Sequence, residues 1–252
     1  MIIRTKALVI KENIVGESDK YITLFTKELG KIQVLAQKAK KADKGFASAT
    51  QLFVYGDFML ASYKDTYRLV NVDIIEMFHN IRNHLSALSY ASYIIEFVQY
   101  VTEPNLPQNE LLHLTLVTLK VLSKRQEDFR HLRRVYELRA LGVLGLMLQL
   151  ECCIECGECV IKEEKATYYI SAKAGGVVCA CCKKVFNDVC PVSYSTLFTM
   201  HYILNASLKE LYHFQISPNI QEELDRVCTQ YVQYYVDKTF KTLDFIDRTD
   251  AL

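Results

Sequence analysis

The sequence has no long hydrophobic run. Its longest, ALGVLGLMLQL at 140–150, is too short to cross a bilayer and reads as a buried helix, so no membrane partner is expected. The opening MIIRTKALVI lacks the apolar core and small-residue cleavage site of an export signal, and the chain is expected to be soluble and cytoplasmic. Catalytic signatures are missing too: there is no P-loop, no H-E-x-x-H and no G-x-S-x-G. The H-x-E and P-C-x-x-C elements of a nucleobase deaminase are also absent. No enzyme is expected. A large excess of one charge is lacking as well, with a net +1 over 252 residues. That small value hides an asymmetry, because residues 1–45 carry ten basic against five acidic groups, leaving the remainder at −4. Such an imbalance marks either a polyanion-binding end or a lysine-rich solvated surface.

What is present divides into three textures. Residues 1–78 read as short strands rich in β-branched and aromatic residues. Ile32, Val34 and Ala36 alternate with polar neighbours, and so do Val70, Val72 and Ile74. Turn signals stand at 28–30 and 64–66. Five strands in this length suit a closed barrel, with the OB-fold leading and an SH3-like barrel as the alternative. From His79 the period becomes helical, with a first helix ending at Pro104 and Pro107, a second over about 109–123 and a third over about 126–150. Helices resume after 190: Ser207 and Glu210 form a capping-box pattern, and Ser217-Pro218 opens the last helix. The fold class is therefore α+β and multidomain. An OB-fold domain at 1–78 precedes an α-helical domain at 79–150 and 191–252, with a zinc-ribbon-like insert at 151–190.

That insert holds the chemistry. ECCIECGEC at 151–159 has four cysteines in nine positions, and GGVVCACC adds Cys179, Cys181 and Cys182. In a reducing compartment, clustered cysteines point to metal or redox chemistry rather than to disulfides. Two C-x-x-C pairs joined by a hairpin-sized insert present four thiolates to Zn²⁺. The first pair is Cys153/Cys156 or Cys156/Cys159, and Gly157 favours the former because a knuckle turns through a positive φ after its second cysteine. The second pair is Cys179/Cys182, followed by Lys183 rather than glycine. One structural zinc per chain on Cys153, Cys156, Cys179 and Cys182 is expected. Four thiolates leave no open coordination position, so the metal would organise structure and activate no water. A redox role for Cys156-Gly157-Glu158-Cys159 lacks the βαβ context such motifs need. Cys152, Cys159, Cys181, Cys190 and Cys228 read as packing residues or spares.

For the barrel, Lys38, Lys40, Lys41 and Lys44 form a basic loop after the third strand. Four cations in seven residues repel one another unless an anion joins them, which favours phosphate contact. Tyr21, Phe25, Tyr63 and Tyr67 are stacking candidates, although a small barrel needs most of its large side chains inside.

With these motifs in view, the chain resembles the RecO recombination mediator family. The resemblance rests on RTKALVI, on GESDKYITLFTKELGKIQVLAQKAKK, on CIECG with GGVVCACC, and on the closing KTFKTLDFI. It implies an OB domain, a helical domain with a zinc finger, and no catalysis. It also implies a bacterial DNA-repair role in the cytoplasm and nucleoid. Such proteins bind single- and double-stranded DNA, anneal complementary strands, act with RecR, and help load RecA onto strands covered by single-strand-binding protein. Carried onto matching positions, DNA contact falls on Lys38, Lys40, Lys41 and Lys44, with Arg4 and Arg68 added from neighbouring strands. The family's basic loop reads as a glycine followed by arginines, whereas here Lys38 stands at the glycine and Asp43 interrupts the run. The resemblance further implies docking of the acidic tail of single-strand-binding protein. Arg130, Arg133 and Arg134 share a helix face at i, i+3 and i+4, with Arg139 further along, and that stripe is either the receptor for the tail or an ordinary solvated face. The alternative reading of the whole is a zinc-ribbon transcription or RNA-binding factor, which has no reason to accelerate pairing of arbitrary strands.

Overall fold

The computed structural model describes residues 1–39, 46–64, 66–125, 127–159 and 166–249, and the statements below concern these. The chain forms two compact units, Met1–Gln126 with Phe240–Leu252, and Glu127–Thr239. This cut differs from the division by sequence texture, because helices that read alike along the chain are distributed between the units. In chain order the first elements are β1 (Ile2–Val15), β2 (Asp19–Thr26), β3 (Gly30–Ala36), α1 (Phe46–Ala49), β4 (Tyr55–Tyr63) and β5 (Thr66–Glu76). Helices α2 (His79–Asn83), α3 (Leu85–Val101), α4 (Asn109–Leu122) and α5 (Phe129–Val143) follow. Then come β6 (Thr167–Ser171), β7 (Gly176–Val178), β8 (Val189–Ser193), α6 (Tyr194–Asn205), α7 (Pro218–Val236) and α8 (Lys241–Thr249).

In the first unit the five strands close into a barrel in the order β1-β2-β3-β5-β4. β1 pairs antiparallel with both β2 and β4, and β3 pairs parallel with β5. This is an OB-fold. The alternation in β3 puts Ile32, Val34 and Ala36 inside, each 3% exposed or less. The alternation in β5 behaves differently. Leu60 faces Leu69 while Met59 faces Asn71, so Val70 is an extra, bulged residue. A bulge resets the phase of a strand; Leu69 and, past the bulge, Val72 pack on the core, whereas Val70 and Ile74 are 43% and 40% exposed. β1 has the same device at Ile10, between the Val9–Leu24 and Lys11–Thr23 pairs, and it lets Leu8, Val9 and Ile10 all be buried. α3 lies alongside, with Gln99 donating to the Ile10 carbonyl. Tyr93 and Phe97 of α3 pack on Phe240 at ring distances of 5.3 and 5.9 Å, and Thr242 of α8 donates to Glu96 at 2.8 Å.

In the second unit, α5 stops at Val143, short of the 150 expected from its apolar run. The chain turns through Gly145 at φ 86°, where an L side chain would be strained, and the Leu146 amide reaches back to the Leu141 carbonyl at 2.9 Å. The freed segment then pairs with the sheet, Gln149 bridging to Gly176. β6 lies between β7 and β8, antiparallel to both. Ser193 caps α6 by accepting from the Thr196 amide. Ser207 does donate to Glu210 at 2.9 Å, but the segment makes only a turn, because Leu211 and Tyr212 fold inward and are buried. Pro218 opens α7, which is not the last helix: Asp237, left-handed at φ 37°, ends it, and α8 follows.

Candidate metal centre and nucleic-acid interface

The first knuckle is built by local hydrogen bonds. Cys153 receives Gly157 N–H on its carbonyl at 2.8 Å and donates its own amide to the Glu158 carbonyl at 2.8 Å. Gly157 takes φ 75° to close that turn, a conformation glycine adopts without a steric penalty. Ile154 donates to the Val177 carbonyl, which ties the knuckle to β7. The second pair follows β7 directly, with the amides of Cys182 and Lys183 both donating to the Cys179 carbonyl. No glycine is needed there, because the chain continues into a 3-10 turn at Lys183–Val185.

These turns bring the sulfur atoms of Cys153, Cys156, Cys179 and Cys182 within 4.8 Å of one another. The Cys156–Cys179 separation is 3.8 Å. A tetrahedron with bonds of about 2.3 Å to sulfur has edges of about 3.8 Å, so the donor set fits one four-thiolate metal ion. Burial alone would raise the Cys153 thiol, but amide donors from Cys156, Cys179 and Glu155 outweigh it and bring it down to about 6. Cys182 is driven the other way, first by the neighbouring Cys179 thiol and then by burial. Thiols this close cannot all ionise without a cation between them. Cys159 and Cys181 fall outside the set, and Cys190 and Cys228 are buried packing residues.

On the barrel, Lys38 is exposed and left-handed at φ 55°, with its amide donating to Asp19 at 2.8 Å. It therefore takes the backbone state that the family's glycine would adopt freely. Lys40, Lys41 and Lys44 lie outside the described residues. Arg4 is held by two carboxylates, Asp57 at 3.1 Å and Asp73 at 2.8 Å, so its charge is locally matched. Arg68 is exposed on β5. Of the aromatic candidates, Phe25 is fully buried core, while Tyr21 and Tyr63 are exposed. Tyr67 lines a polar cleft of about 420 Å³ together with Lys11, Thr23, Gln33, Gln99 and Asn105. Lys31 closes its floor, donating to the Gln99 and Thr102 carbonyls at 2.6 and 2.5 Å, and burial lowers its pKa. Lys11, Thr23 and Gln33 were missed by sequence reasoning. Their only signal is that they occupy polar positions of the alternating strands.

The arginines of α5 differ from the expected open stripe. Arg133 and Arg134 are buried, each 7% exposed. Arg134 pairs with Asp225 at 2.6 Å and with Glu137 at 2.8 Å, and it donates to Thr229 at 2.8 Å. Burial would lower its pKa, yet Glu137 and Asp225 outweigh that and keep it charged. Arg133 lies 3.6 Å from Glu137, and Arg130 reaches Asp225 at 2.6 Å. Arg139 is half-buried and donates to the Ile203 carbonyl at 3.4 Å. Arg133 and Arg134 thus belong to an internal ion-pair network that Arg130 joins from the surface. Glu137 was in view three and four residues along the helix, but Asp225 lies 91 residues from Arg134 and carried no local signal.

The family models named Recombination protein O N terminal and Recombination protein O C terminal match residues 1–78 and 82–244. The DNA repair protein RecO of Acetivibrio thermocellus is 33% identical over 250 residues, covering 99% of this chain and 98% of that protein. The DNA repair protein RecO of Thermoanaerobacter sp. is 34% identical over 247 residues, with 98% and 97% covered. That of Alkaliphilus metalliredigens is 29% identical over 245 residues, with 97% and 98% covered. Matched by both family models and by these relatives along nearly the whole length, this chain belongs to the RecO family of DNA repair proteins.

Proposed function

We propose that the protein binds single- and double-stranded DNA on the outer face of its barrel, anneals complementary strands, and acts with RecR to load RecA onto strands covered by single-strand-binding protein. The observation that carries this reading is the polar cleft at β2, β3 and β5. OB barrels take oligonucleotides on the face of their second and third strands. Tyr67 is placed to stack on a base, Gln33 and Asn105 to hydrogen-bond, and Lys11 to meet a phosphate. Further phosphate contacts are assigned to Lys38 and Arg68, to Lys40, Lys41 and Lys44 from the sequence alone, and to Arg4, whose charge is shared between two carboxylates. The metal is zinc, one per chain, held by Cys153, Cys156, Cys179 and Cys182 in a structural role. The protein performs no bond chemistry of its own and works in the cytoplasm at the nucleoid. Docking of the tail of single-strand-binding protein through the α5 arginines would have to use Arg130, whose side chain is 57% exposed, because Arg133 and Arg134 are internal.

Salt-titrated binding to single strand, duplex and RNA of matched length tests this, together with annealing of arbitrary strands. Tyr67→Ala should weaken single-strand binding by about 1–3 kcal/mol, the worth of one stacked base. Replacing Lys38, Lys40, Lys41 and Lys44 with alanine should lower the slope of log K against log salt by about 0.7 per lost contact on single strands. Preference for RNA with no annealing would overturn the reading in favour of an RNA-binding factor.

A further inference from the structure

Cys152 and Cys159 bracket the first knuckle without joining the four-thiol set. Their backbones face each other as an isolated antiparallel bridge, and their sulfur atoms are 3.0 Å apart. Opposed residues of an antiparallel pair hold their Cα atoms about 4.5–5.5 Å apart. That lies within the span of about 4.4–6.8 Å that a disulfide bridges. Reaching a bond of about 2 Å therefore takes about 1 Å of sulfur movement and no change of backbone path. Cys159 is exposed and Cys152 half-buried, so an oxidant has access to one sulfur while the other waits behind it.

We infer that Cys152 and Cys159 are a second, metal-independent dithiol that oxidises to a disulfide and staples the base of the metal knuckle. In a reducing compartment such a pair stays as thiols until an oxidant is present. With a small disulfide such as oxidised glutathione, the Cys159 thiolate attacks one sulfur and expels a glutathione thiolate, leaving a mixed disulfide. The Cys152 thiolate then attacks the Cys159 sulfur and expels the second glutathione. Two protein thiols become one disulfide, one glutathione disulfide becomes two thiols, and the two protons pass to the released thiolates. The new bond closes a loop of eight residues that contains both Cys153 and Cys156. Opening the knuckle then no longer lets these two metal ligands drift apart, so the metal is held longer.

The test uses the full, metal-loaded chain exposed to millimolar oxidised glutathione, followed by alkylation of remaining thiols and mass mapping. The expected result is a loss of about two mass units, with Cys152 joined to Cys159 and the four other knuckle thiols still alkylated after metal is removed. Cys181→Ser and Cys228→Ser should form the bond, whereas Cys152→Ser and Cys159→Ser should not. Release of metal to a chelator should slow by roughly tenfold or more after oxidation, in line with the loop-closure effect of a short bridge. A bond mapped onto any of the four ligand cysteines, metal lost in step with oxidation, or no bond at all would overturn the inference. The mapping on the wild-type chain decides the matter even if a variant folds poorly. Elemental analysis of the starting protein reads the metal assignment separately, so the failure of one is not confused with the failure of the other.

Discussion

The closed sheet of the first unit and the open sheet of the second hold themselves together by different means. The barrel strands run from 7 to 14 residues, and closure leaves none of the five as an edge. Its interior is filled by side chains such as Val9, Leu24, Val34, Phe58 and Leu60, all without exposed surface. Each such side chain contributes about 1.5–3 kcal/mol by its burial. The second sheet has strands of five, three and five residues, with β7 and β8 as its edges. A sheet of that size is marginal by itself, and cross-links supply what its core does not. The four-thiol set joins both ends of the hairpin, and Glu223 accepts the Ser193 amide, the Ser193 hydroxyl and the Thr196 hydroxyl where β8 enters α6. Beside it, Arg134, Glu137 and Asp225 form a buried ionic joint between α5 and α7. A sheet that closes on its own core leaves the polar groups of its outer face unspent, whereas a cross-linked sheet uses its polar and thiol groups to hold itself together.

The sharpest way to break this contrast is to remove the metal ligands. Cys153→Ser or Cys182→Ser should abolish metal binding, which is worth about 10–16 kcal/mol in zinc knuckle peptides. Hydrogen exchange should then show β6–β8 losing protection while β1–β5 keep theirs; barrel amides opening in parallel would refute the separation. Next in size is the ionic joint. Arg134→Ala removes the buried cation that Asp225 and Glu137 share, leaving them only Arg130 and Arg133, and should cost up to about 3–5 kcal/mol, read as a fall in the denaturant midpoint. Leu60→Ala probes the barrel's reliance on burial and should cost about 2–5 kcal/mol there, with metal content unchanged by elemental analysis. The smallest effect concerns Glu223. Burial would raise its pKa, but hydrogen bonds from Thr196 and Ser193 outweigh this and hold it below the ordinary carboxylate value. A depressed folded pKa contributes stability above the unfolded value of about 4.3, and that contribution disappears as pH falls through the lower folded value. Glu223→Gln should flatten that acid limb of the melting temperature, and an unchanged acid limb would show that the junction does not depend on this charge.

Much of this was legible because the signals are short-range. The alternation of Ile32, Val34 and Ala36 sets the inner face of β3, and the Cys153–Cys156 and Cys179–Cys182 spacings, with Gly157 behind the first pair, set two knuckles. Each depends on residues a few positions apart, whose relative placement the covalent chain already limits. The errors arose where a local pattern met a distant partner. In β5 the bulge at Val70 belongs to the pairing with β4 and breaks a regular alternation, turning Val70 outward while Val72 packs on the core. The arginine stripe on α5 looked solvated because Asp225 stands on α7, 91 residues beyond Arg134.

The order of β-branched strands, the helical periods and the paired cysteines were therefore determined by the sequence alone, since period and spacing translate directly into which side chains share a face. Tertiary structure decided the rest. It chose which cations are buried against carboxylates and which remain exposed, and it gathered Lys11, Gln33 and Tyr67 from three strands into one cleft. It also brought together four thiols that could hold a metal. Those choices rest on distances between segments far apart in the chain, and only the packing of one against another fixes such distances.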